Sequence, residues 1–210
     1  MKAYLFDFDG TLVDSMPTYA SVMLKILDEY NAEYPDDIIK IITPLGFIKT
    51  ADYYVEKLGV KENASVLVKK MEDYCYFEYK NNVPAKKSVI ETLIELKKRG
   101  HSLNVLTASP HVTLDACLKR LGIFDLFDNV WSCNDFNTTK ADPNIYHMCA
   151  EKIGKPITDV IFLDDNFNAD EVAKSTGMPV YGVYDESSAQ YTDDIKAITD
   201  KYITDFKELL

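Results

Sequence analysis

The alternation of hydrophobic and polar residues divides the chain into a short strand, a helical segment and a longer α/β region. The first apolar run, residues 3–6, is continuous, which is typical of a strand buried on both faces of a sheet. In residues 15–83 the apolar positions recur at helical spacing, without a convincing strand pattern. This pattern predicts one helix after Met16-Pro17 and further helices at 36–42, 50–58 and 64–79.

From residue 84 onward, predicted helices and strands alternate. The strands lie at 102–106, 129–132, 159–163 and 180–183, and the helices lie at 87–99, 110–121, 142–153 and 168–176. Residues 202–210 form either a short helix or a strand followed by a helix. Such alternation predicts a parallel sheet with helices on both faces. We therefore expect an α/β, Rossmann-like core of residues 1–14 and 84–210, with an inserted all-α subdomain at residues 15–83.

Length, composition and charge restrict the classes of function. The 210 residues suffice for one sizeable α/β domain with a small subdomain, and 47% apolar residues suffice for a buried core. The formal net charge of −11, from 34 acidic and 23 basic residues, argues against binding to nucleic acid or to an anionic membrane surface. If the ligand is an anion, a local positive charge is needed, and a bound divalent cation would supply it.

The cysteines and the start of the chain indicate a cellular compartment. No Cys-x-x-Cys pair is present, so buried thiols in a reducing compartment are favoured over a zinc site or a disulfide; the residues are Cys75, Cys117, Cys133 and Cys149. The sequence has no charged-then-apolar leader and no apolar run long enough to span a bilayer. We expect a cytoplasmic protein that is a monomer or a weak homodimer.

Two carboxylates follow the first strand at a spacing of two. Asp7 and Asp9 come directly after the apolar run, and Gly10 permits a tight turn just beyond it. Open α/β sheets bind their ligands at this edge. Carboxylates beside a hydrophobic strand are costly unless a positive group meets them. We interpret the pair as a functional site; the alternative is a turn with two Asx-type caps.

Polar residues also follow the strand at 102–106. Thr107 ends this strand, and Pro110 begins the next helix. A hydroxyl group and the free backbone N–H groups at this junction, from Ala108 and Ser109, are suited to binding a phosphate oxygen. An ordinary helix N-cap is an equally good interpretation of Ser109.

Further along the chain, Lys140 precedes a helix that Asp142 is expected to cap. Alone, this lysine would be interpreted as solvated surface. In the context of the acidic strand ends it is the best candidate to neutralise both a nucleophile and an anionic substrate.

A second acidic pair, Asp164-Asp165, follows the apolar strand at 159–163. Two adjacent acids at the end of a buried strand repel each other unless a cation lies between them. Together with Asp7 they would give the hard oxygen ligands that Mg²⁺ prefers. Asp170 either orients this cluster or simply begins the following helix, and both interpretations stay open.

The order of these motifs resembles the haloacid dehalogenase-like hydrolase superfamily. The resemblance covers essentially the whole chain and rests on Asp7-Phe8-Asp9-Gly10-Thr11, Thr107, Lys140 and Asp164-Asp165 with Asp170. Residues 15–83 resemble the helical cap of the phosphoglycolate phosphatase and β-phosphoglucomutase branch. The chain departs from many members at Ala141, where proline is common, and at Asp164, where glycine or glutamate is common.

The resemblance implies a mechanism that agrees with the interpretation from the residues. Asp7 would attack phosphorus and form an aspartyl-phosphate. Asp9 would protonate the leaving oxygen and then take a proton from water, so it must begin protonated. Mg²⁺ on Asp7, the Asp9 backbone carbonyl and Asp165, with Asp164 as a further ligand, would offset the charge repulsion together with Thr107 and Lys140. The cap would close over the site and shed water.

The leading hypothesis is therefore a Mg²⁺-dependent phosphatase acting on a small phosphorylated metabolite. A β-phosphoglucomutase-like phosphomutase would use the same residues, and a non-catalytic phosphate-ligand or partner-binding protein on this fold is the alternative of a different class. A dehalogenase is disfavoured because Asp9 is present. Gly10 and Lys49 complete the candidate substrate contacts, and a plain surface lysine is the alternative for Lys49. The sequence does not identify the phosphate ester.

Overall fold

The computed structural model of the chain describes residues 1–43 and 45–210 in full, and Pro44 only as part of a helical turn. The chain divides into two compact units, one formed by residues 1–14 with 83–210 and the other by residues 15–82. Val83 thus belongs to the first unit, whereas the predicted boundary falls one residue later. Val83 is fully buried, and its carbonyl accepts a hydrogen bond from Arg120, which explains the assignment.

The unit of residues 15–82 is helical. Its helices are α1 (Met16–Glu29), α2 (Ile38–Ile42), α3 (Gly46–Glu56) and α4 (Ala64–Asn81). The buried residues of α4, Leu67, Met71, Cys75 and Tyr79, recur every four positions, and this face packs against α1 and α3. Helix α3 begins four residues before the predicted start. The 3-10 turn Thr43–Leu45 ends at Gly46, whose φ of +70° redirects the chain into the helix.

The other unit contains one sheet of six strands. They are β1 (Ala3–Phe6), β2 (Ser102–Thr107), β3 (Asn129–Ser132), β4 (Val160–Asp164), β5 (Val180–Val183) and β6 (Lys201–Ile203). Every neighbouring pair is parallel, and the strand order is β3-β2-β1-β4-β5-β6. The predicted α/β fold class with a Rossmann-like parallel sheet is therefore confirmed.

Helices connect these strands. They are α5 (Val89–Lys98), α6 (His111–Arg120), α7 (Asn144–Ile153), α8 (Phe167–Ser175) and α9 (Thr192–Ile198). The C-terminal residues form a strand followed by a 3-10 helix, Phe206–Leu209, so the second of the two predicted alternatives is correct. Helix α9 is missing from the predicted elements. No helix within the described ranges combines the length and the apolar content that crossing a bilayer requires.

The hydrophobic core lies on both faces of the sheet. On one face, Leu5 of β1 and Phe162 of β4 pack in one cluster with α7 and α8. On the other face, the ring of Phe6 contacts Phe127 and Phe206, with centroids 6.4 and 6.1 Å apart. This burial on both faces explains why β1 is apolar at every position. All four cysteine side chains are buried.

Candidate active site

The strand order places two acidic strand ends side by side. β1 pairs with β2 on one side and with β4 on the other, so the direction of the chain through the sheet reverses between β1 and β4. Open α/β sheets bind ligands beyond the carboxyl ends of their strands at such a reversal. Beyond β1, the Asp7 N–H donates to the Leu163 carbonyl at 2.8 Å and continues the ladder to the edge of the sheet. The acids after the two strands therefore converge.

Three buried aspartates and one lysine form the centre of the site, which we call the acidic cluster. Carboxylate oxygens of Asp7, Asp164 and Asp165 all lie within 4.8 Å of one another. The Lys140 ammonium donates to Oδ1 of Asp7 and, at 2.7 Å, to Oδ2 of Asp164. The Lys140 side chain is only 14% exposed. The structure thus brings together four residues that the sequence placed in three separate motifs.

Burial and charge perturb the proton affinities of the acidic cluster. Burial raises the pKa of Asp7, and the Lys140 ammonium opposes that rise. Burial, reinforced by the charges of Asp164 and Asp185, raises the pKa of Asp165 to about 8. Burial alone would lower the pKa of Lys140, but its two carboxylate partners outweigh this effect and raise it. Burial therefore favours the protonated forms of Asp7 and Asp165 in the absence of a further cation.

The turn after Asp9 packs directly against the acidic cluster. Gly10 has a φ of +75°, and a Cβ atom on it would lie 2.5 Å from Oδ2 of Asp165. The neighbouring Thr11 is fully buried, and its hydroxyl donates to Oδ1 of Asp165 at 2.9 Å. Both residues therefore fix the position of the Asp165 carboxylate. The turn motif supplied Gly10 and Thr11, but it gave no sign that Asp165 is their partner.

The side chain of Asp9 lies outside the group of three converging carboxylates. Its Oδ2 accepts a hydrogen bond of 2.5 Å from the Ser109 hydroxyl. The Ser109 N–H donates to the hydroxyl of Thr107 at 3.0 Å, and Thr107 is the last residue of β2. Ala108 between them is exposed. The structure thus joins the first motif to the end of β2, and the Ser109 hydroxyl makes no helix-capping bond among the described contacts.

Helix α7 contacts the backbone of Lys140, which lies in the segment before it, through Tyr146. The Tyr146 hydroxyl, which is buried, lies 3.1 Å from both the Lys140 carbonyl and the Ala169 carbonyl. Tyr146 is a neighbour of the site that the sequence did not reveal, since an aromatic residue on an apolar helix face indicates only a core position.

The predicted cap of α7 lies one residue before the observed one. The Asp142 carboxylate accepts from the Asn144 N–H at 2.9 Å, although α7 begins at Asn144 with Pro143 at the capping position. The predicted cap is therefore displaced by one residue.

Asp170 lies in the first turn of α8 and is fully buried. Neither of its carboxylate oxygens has a hydrogen-bond partner among the described residues. Burial, followed by the charges of Asp164 and Asp165, raises the pKa of Asp170 to about 10. The N-cap of α8 is instead Asn166, whose side chain accepts from the Asn168 and Ala169 N–H groups. Asp170 thus belongs to the first turn of the helix, and the charges of Asp164 and Asp165 act on it; a role in orienting the acidic cluster stays a prediction.

Lys49 belongs to the other unit. It is an exposed residue of α3. Its predicted contact with the substrate stays a prediction, as does the cap function predicted for residues 15–83.

A buried ion pair that the sequence did not reveal lies at the same edge of the sheet. Asp185 follows β5 and accepts from the Lys86 ammonium at 2.9 Å. An acid after an apolar strand is the same signal that marks Asp7 and Asp164, so Asp185 could have been recognised. Lys86 could not, because it lies 99 residues away in a polar segment.

The acidic cluster has the chemistry of a magnesium site. Three carboxylates and one ammonium have a formal charge of −2, which a divalent cation would neutralise. Buried carboxylate oxygens are the hard ligands that Mg²⁺ takes in proteins, usually with several waters retained. The residues present therefore fit a divalent cation.

Proteins similar to this chain include two that are named phosphatases and a solved structure with the same fold. Pyrophosphatase PpaX of Bacillus velezensis is 28% identical over 186 residues, which cover 87% of this chain and 83% of the relative. The phosphorylated carbohydrates phosphatase of Thermotoga maritima is 25% identical over 184 residues, covering 87% and 85%. The crystal structure of the HAD-hydrolase YfnB from Bacillus subtilis, bound to magnesium, superimposes with a TM-score of 0.80 at 15% identity, covering 99% and 96%.

The family itself is identified by a match to most of the chain. The family model described as haloacid dehalogenase-like hydrolase matches residues 1–175. This range includes the whole helical unit, the other unit as far as residue 175, and every motif on which the resemblance rests, from Asp7 to Asp170. The chain belongs to the haloacid dehalogenase-like hydrolase family.

Proposed function

We propose that this protein is a Mg²⁺-dependent phosphatase that hydrolyses a small phosphorylated metabolite through an aspartyl-phosphate. The observation that carries the proposal is the buried acidic cluster in contact with Lys140, beside a less buried Asp9 that accepts from Ser109. Relatives named as phosphatases, with 25 to 28% identity, support the reaction class.

Asp7 is the proposed nucleophile. One of its oxygens attacks phosphorus, the bond from phosphorus to the ester oxygen breaks, and the phosphoryl group is then held on the Asp7 carboxylate. A carboxylate repels a phosphate dianion, and the Lys140 ammonium, which already contacts Asp7, offsets part of that repulsion. A bound Mg²⁺, held by Asp7, Asp164 and Asp165, would supply further positive charge at the transferred group.

Asp9 is the proposed general acid and base. In the first step its carboxyl group donates a proton to the leaving oxygen, and in the second its carboxylate accepts a proton from the water that hydrolyses the aspartyl-phosphate. The Ser109 hydroxyl orients this carboxyl group. The Thr107 hydroxyl and the Ala108 N–H are the proposed contacts for the phosphate oxygens, and the Ser109 N–H would join them by giving up its bond to the Thr107 hydroxyl.

The direct test is the variant Asp7→Asn. An amide is a poor nucleophile and no longer provides a carboxylate for the phosphoryl group, so we expect phosphate release to fall on the order of a thousandfold or more. Release of phosphate from an aryl phosphate in the presence of Mg²⁺ measures the effect. The matched control is Asp125→Asn, because Asp125 is an exposed aspartate of the same unit. Near-normal turnover by folded Asp7→Asn would assign the nucleophile to another residue.

A panel of sugar phosphates, phosphoglycolate and pyrophosphate then tests which reaction the protein catalyses. The proposal expects Mg²⁺-dependent phosphate release from at least one small ester, abolished by a chelator. Isomerisation of a sugar phosphate without phosphate release would indicate a phosphomutase. The absence of turnover on every substrate, with and without Mg²⁺, would favour a binding protein on the same fold.

A further inference from the structure

A partly buried lysine, Lys86, lies beside the turn that follows Asp9. The turn residues 12–14 run antiparallel to residues 84–86, with a bridge between Val13 and Ala85. The Lys86 N–H donates to the Leu12 carbonyl at 3.0 Å, and the Asp14 N–H donates to the Pro84 carbonyl at 3.0 Å. This pairing fixes the backbone of Lys86 beside the turn, so its side chain reaches across to the edge of the sheet.

The Lys86 ammonium is saturated by three acceptors. It donates to the Gly10 carbonyl at 2.6 Å, to the Tyr184 carbonyl, and to Oδ2 of Asp185 at 2.9 Å. An ammonium group has three N–H donors, so every donor is used. The Lys86 side chain is 17% exposed and that of Asp185 is 5% exposed. A charge with so little exposure has lost most of its hydration, so the loss of any of these partners would cost free energy. We therefore expect the three contacts to hold the Lys86 ammonium in one position.

Asp185 is held equally firmly. Its Oδ1 accepts from the N–H of Ser187 at 2.9 Å and from the hydroxyl of Ser187 at 2.6 Å. The Lys86–Asp185 pair therefore joins two segments, the turn after Asp9 and the turn after β5, without adding net charge to the edge of the sheet.

The Gly10 carbonyl connects this pair to the acidic cluster. Gly10 packs so closely on Asp165 that no Cβ atom fits between them, and the adjacent Thr11 hydroxyl donates to the same carboxylate. A shift of the Gly10 peptide would move Thr11 and release Asp165. Lys86 is thus linked to Asp165 through the Gly10 carbonyl, to which it donates, and the Thr11 hydroxyl, which donates to Asp165.

We propose that Lys86, paired with Asp185, is a positioning residue that sets the metal-binding geometry of Asp165. The proposal rests on the proposed function, because it assumes that the acidic cluster holds Mg²⁺. Lys86 differs in this respect from Lys140, which contacts the nucleophile directly.

The test is Lys86→Met, which keeps the length of the side chain and removes its charge and donors. Residues that orient metal ligands typically contribute about 10- to 100-fold to metal affinity or activity, and we expect losses of that size in Mg²⁺ affinity and in kcat, with KM changed less than about twofold. Calorimetric titration of the substrate-free protein with Mg²⁺ measures the affinity. Lys86→Arg, which keeps the charge and the donors, is expected to recover part of both losses.

The matched control is Lys87→Met, because the neighbouring Lys87 side chain is 84% exposed. It should leave Mg²⁺ affinity and kcat unchanged. Asp185→Asn is the second variant, since it keeps the side-chain volume and leaves Lys86 without its counter-charge; we expect a several-fold loss of Mg²⁺ affinity. If Lys86→Met does not fold, Asp185→Asn carries the test.

The outcomes separate this proposal from the proposed function. Wild-type protein that binds Mg²⁺ and releases phosphate, together with unchanged Mg²⁺ affinity in the folded variants, would overturn the role of Lys86 alone. A lower midpoint of unfolding without a loss of Mg²⁺ affinity would show a purely structural ion pair and would overturn it as well. Wild-type protein that releases no phosphate from any ester contradicts the proposed function first.

Discussion

Gly10 contacts the acidic cluster through its backbone alone, and this makes it the most sensitive single position of the turn. We predict that Gly10→Ala abolishes most of the phosphatase activity, because the new methyl group would overlap the Asp165 carboxylate. A non-glycine residue with positive φ also costs about 1–3 kcal/mol of stability. Phosphate release and the free energy of unfolding measure the two effects.

The control for this prediction is Gly154→Ala. Gly154 has nearly the same φ, +73° against +75°, but a Cβ atom there would meet no atom within 4 Å. The two variants should therefore lose similar stability from backbone strain, and only Gly10→Ala should lose activity. Equal activity in both variants would show that Asp165 can move aside without harm to the reaction.

Individual site residues could be predicted where the local pattern carries the chemistry. Asp7 and the Asp164-Asp165 pair follow apolar strands, so their meeting at one sheet edge follows from parallel pairing alone. The Lys86–Asp185 pair depends on a contact between a turn and a distant strand end, and no local pattern encodes it. Likewise, Ser109 donates to Asp9 and does not cap α6, and this depends on a contact between distant parts of the chain that the local sequence does not encode.

At the scale of elements, His111 joins α6 to the 3-10 helix Cys133–Phe136 that leads toward Lys140. Its two ring nitrogens lie 2.9 Å from Asp115, one turn further along α6, and 2.8 Å from Asp135 of the 3-10 helix. The hydrogen bond with Asp115, together with Asp135, raises the pKa of His111 above its usual 6.5. The protonated ring can donate to both carboxylates at once.

This contact predicts a pH-dependent contribution to stability. Because the pKa of His111 is raised by folding, its contribution is fully present below about pH 6.5 and is lost as the pH rises through the folded-state pKa. His111→Gln should therefore destabilise the protein at pH 5.5 by less than about 1 kcal/mol, since the side chain is 42% exposed, and hardly at all at pH 8.5. Urea unfolding at the two pH values measures the difference.

The control is His147→Gln, because His147 is an exposed histidine on α7. It should show no such dependence. A loss of stability in His111→Gln that is the same at both pH values would mean that packing, rather than charge, holds the two elements together.

Several bounds of helices and strands were predictable from the local sequence. Strands β3 and β5 have the predicted bounds, and α4 starts at the predicted Ala64. The core dictates the apolar positions of β5 and α4, whereas β3, in which only Ser132 is buried, is marked by its strand-forming residues Val130 and Trp131. Helix α9 could not be predicted in this way. It has seven residues, of which Ile195 is the one buried residue among those described, and one buried position cannot show the helical spacing of apolar residues.

At the scale of the whole molecule, the protein carries a net charge of −11, and a cation that binds its acidic cluster would change its stability. If Mg²⁺ binds only the folded acidic cluster, its presence at about a hundred times the dissociation constant stabilises the protein by about 2.7 kcal/mol. For a protein of this size we expect the melting temperature to rise by roughly 5–10 °C. Thermal unfolding with Mg²⁺ and with a chelator, at equal ionic strength, measures the shift.

The variant Asp165→Asn distinguishes Mg²⁺ bound at the acidic cluster from ions bound elsewhere on the acidic surface of the protein. Removal of one ligand charge should abolish most of the Mg²⁺-dependent shift, whereas binding of ions elsewhere would leave it intact. A shift of equal size in the variant would therefore contradict the assignment of the metal site to the acidic cluster.

The position of β1 in the sheet has a consequence for how the protein is made. β1 is synthesised first, yet its two neighbours begin at Ser102 and Val160, after the whole of residues 15–82. The helical unit is one continuous segment and meets no such delay on the ribosome. The edge of the sheet that carries the acidic cluster is thus among the last parts to be assembled, and a nascent chain released before Asp165 has emerged would carry Asp7 without the carboxylates that lie beside it in the folded protein.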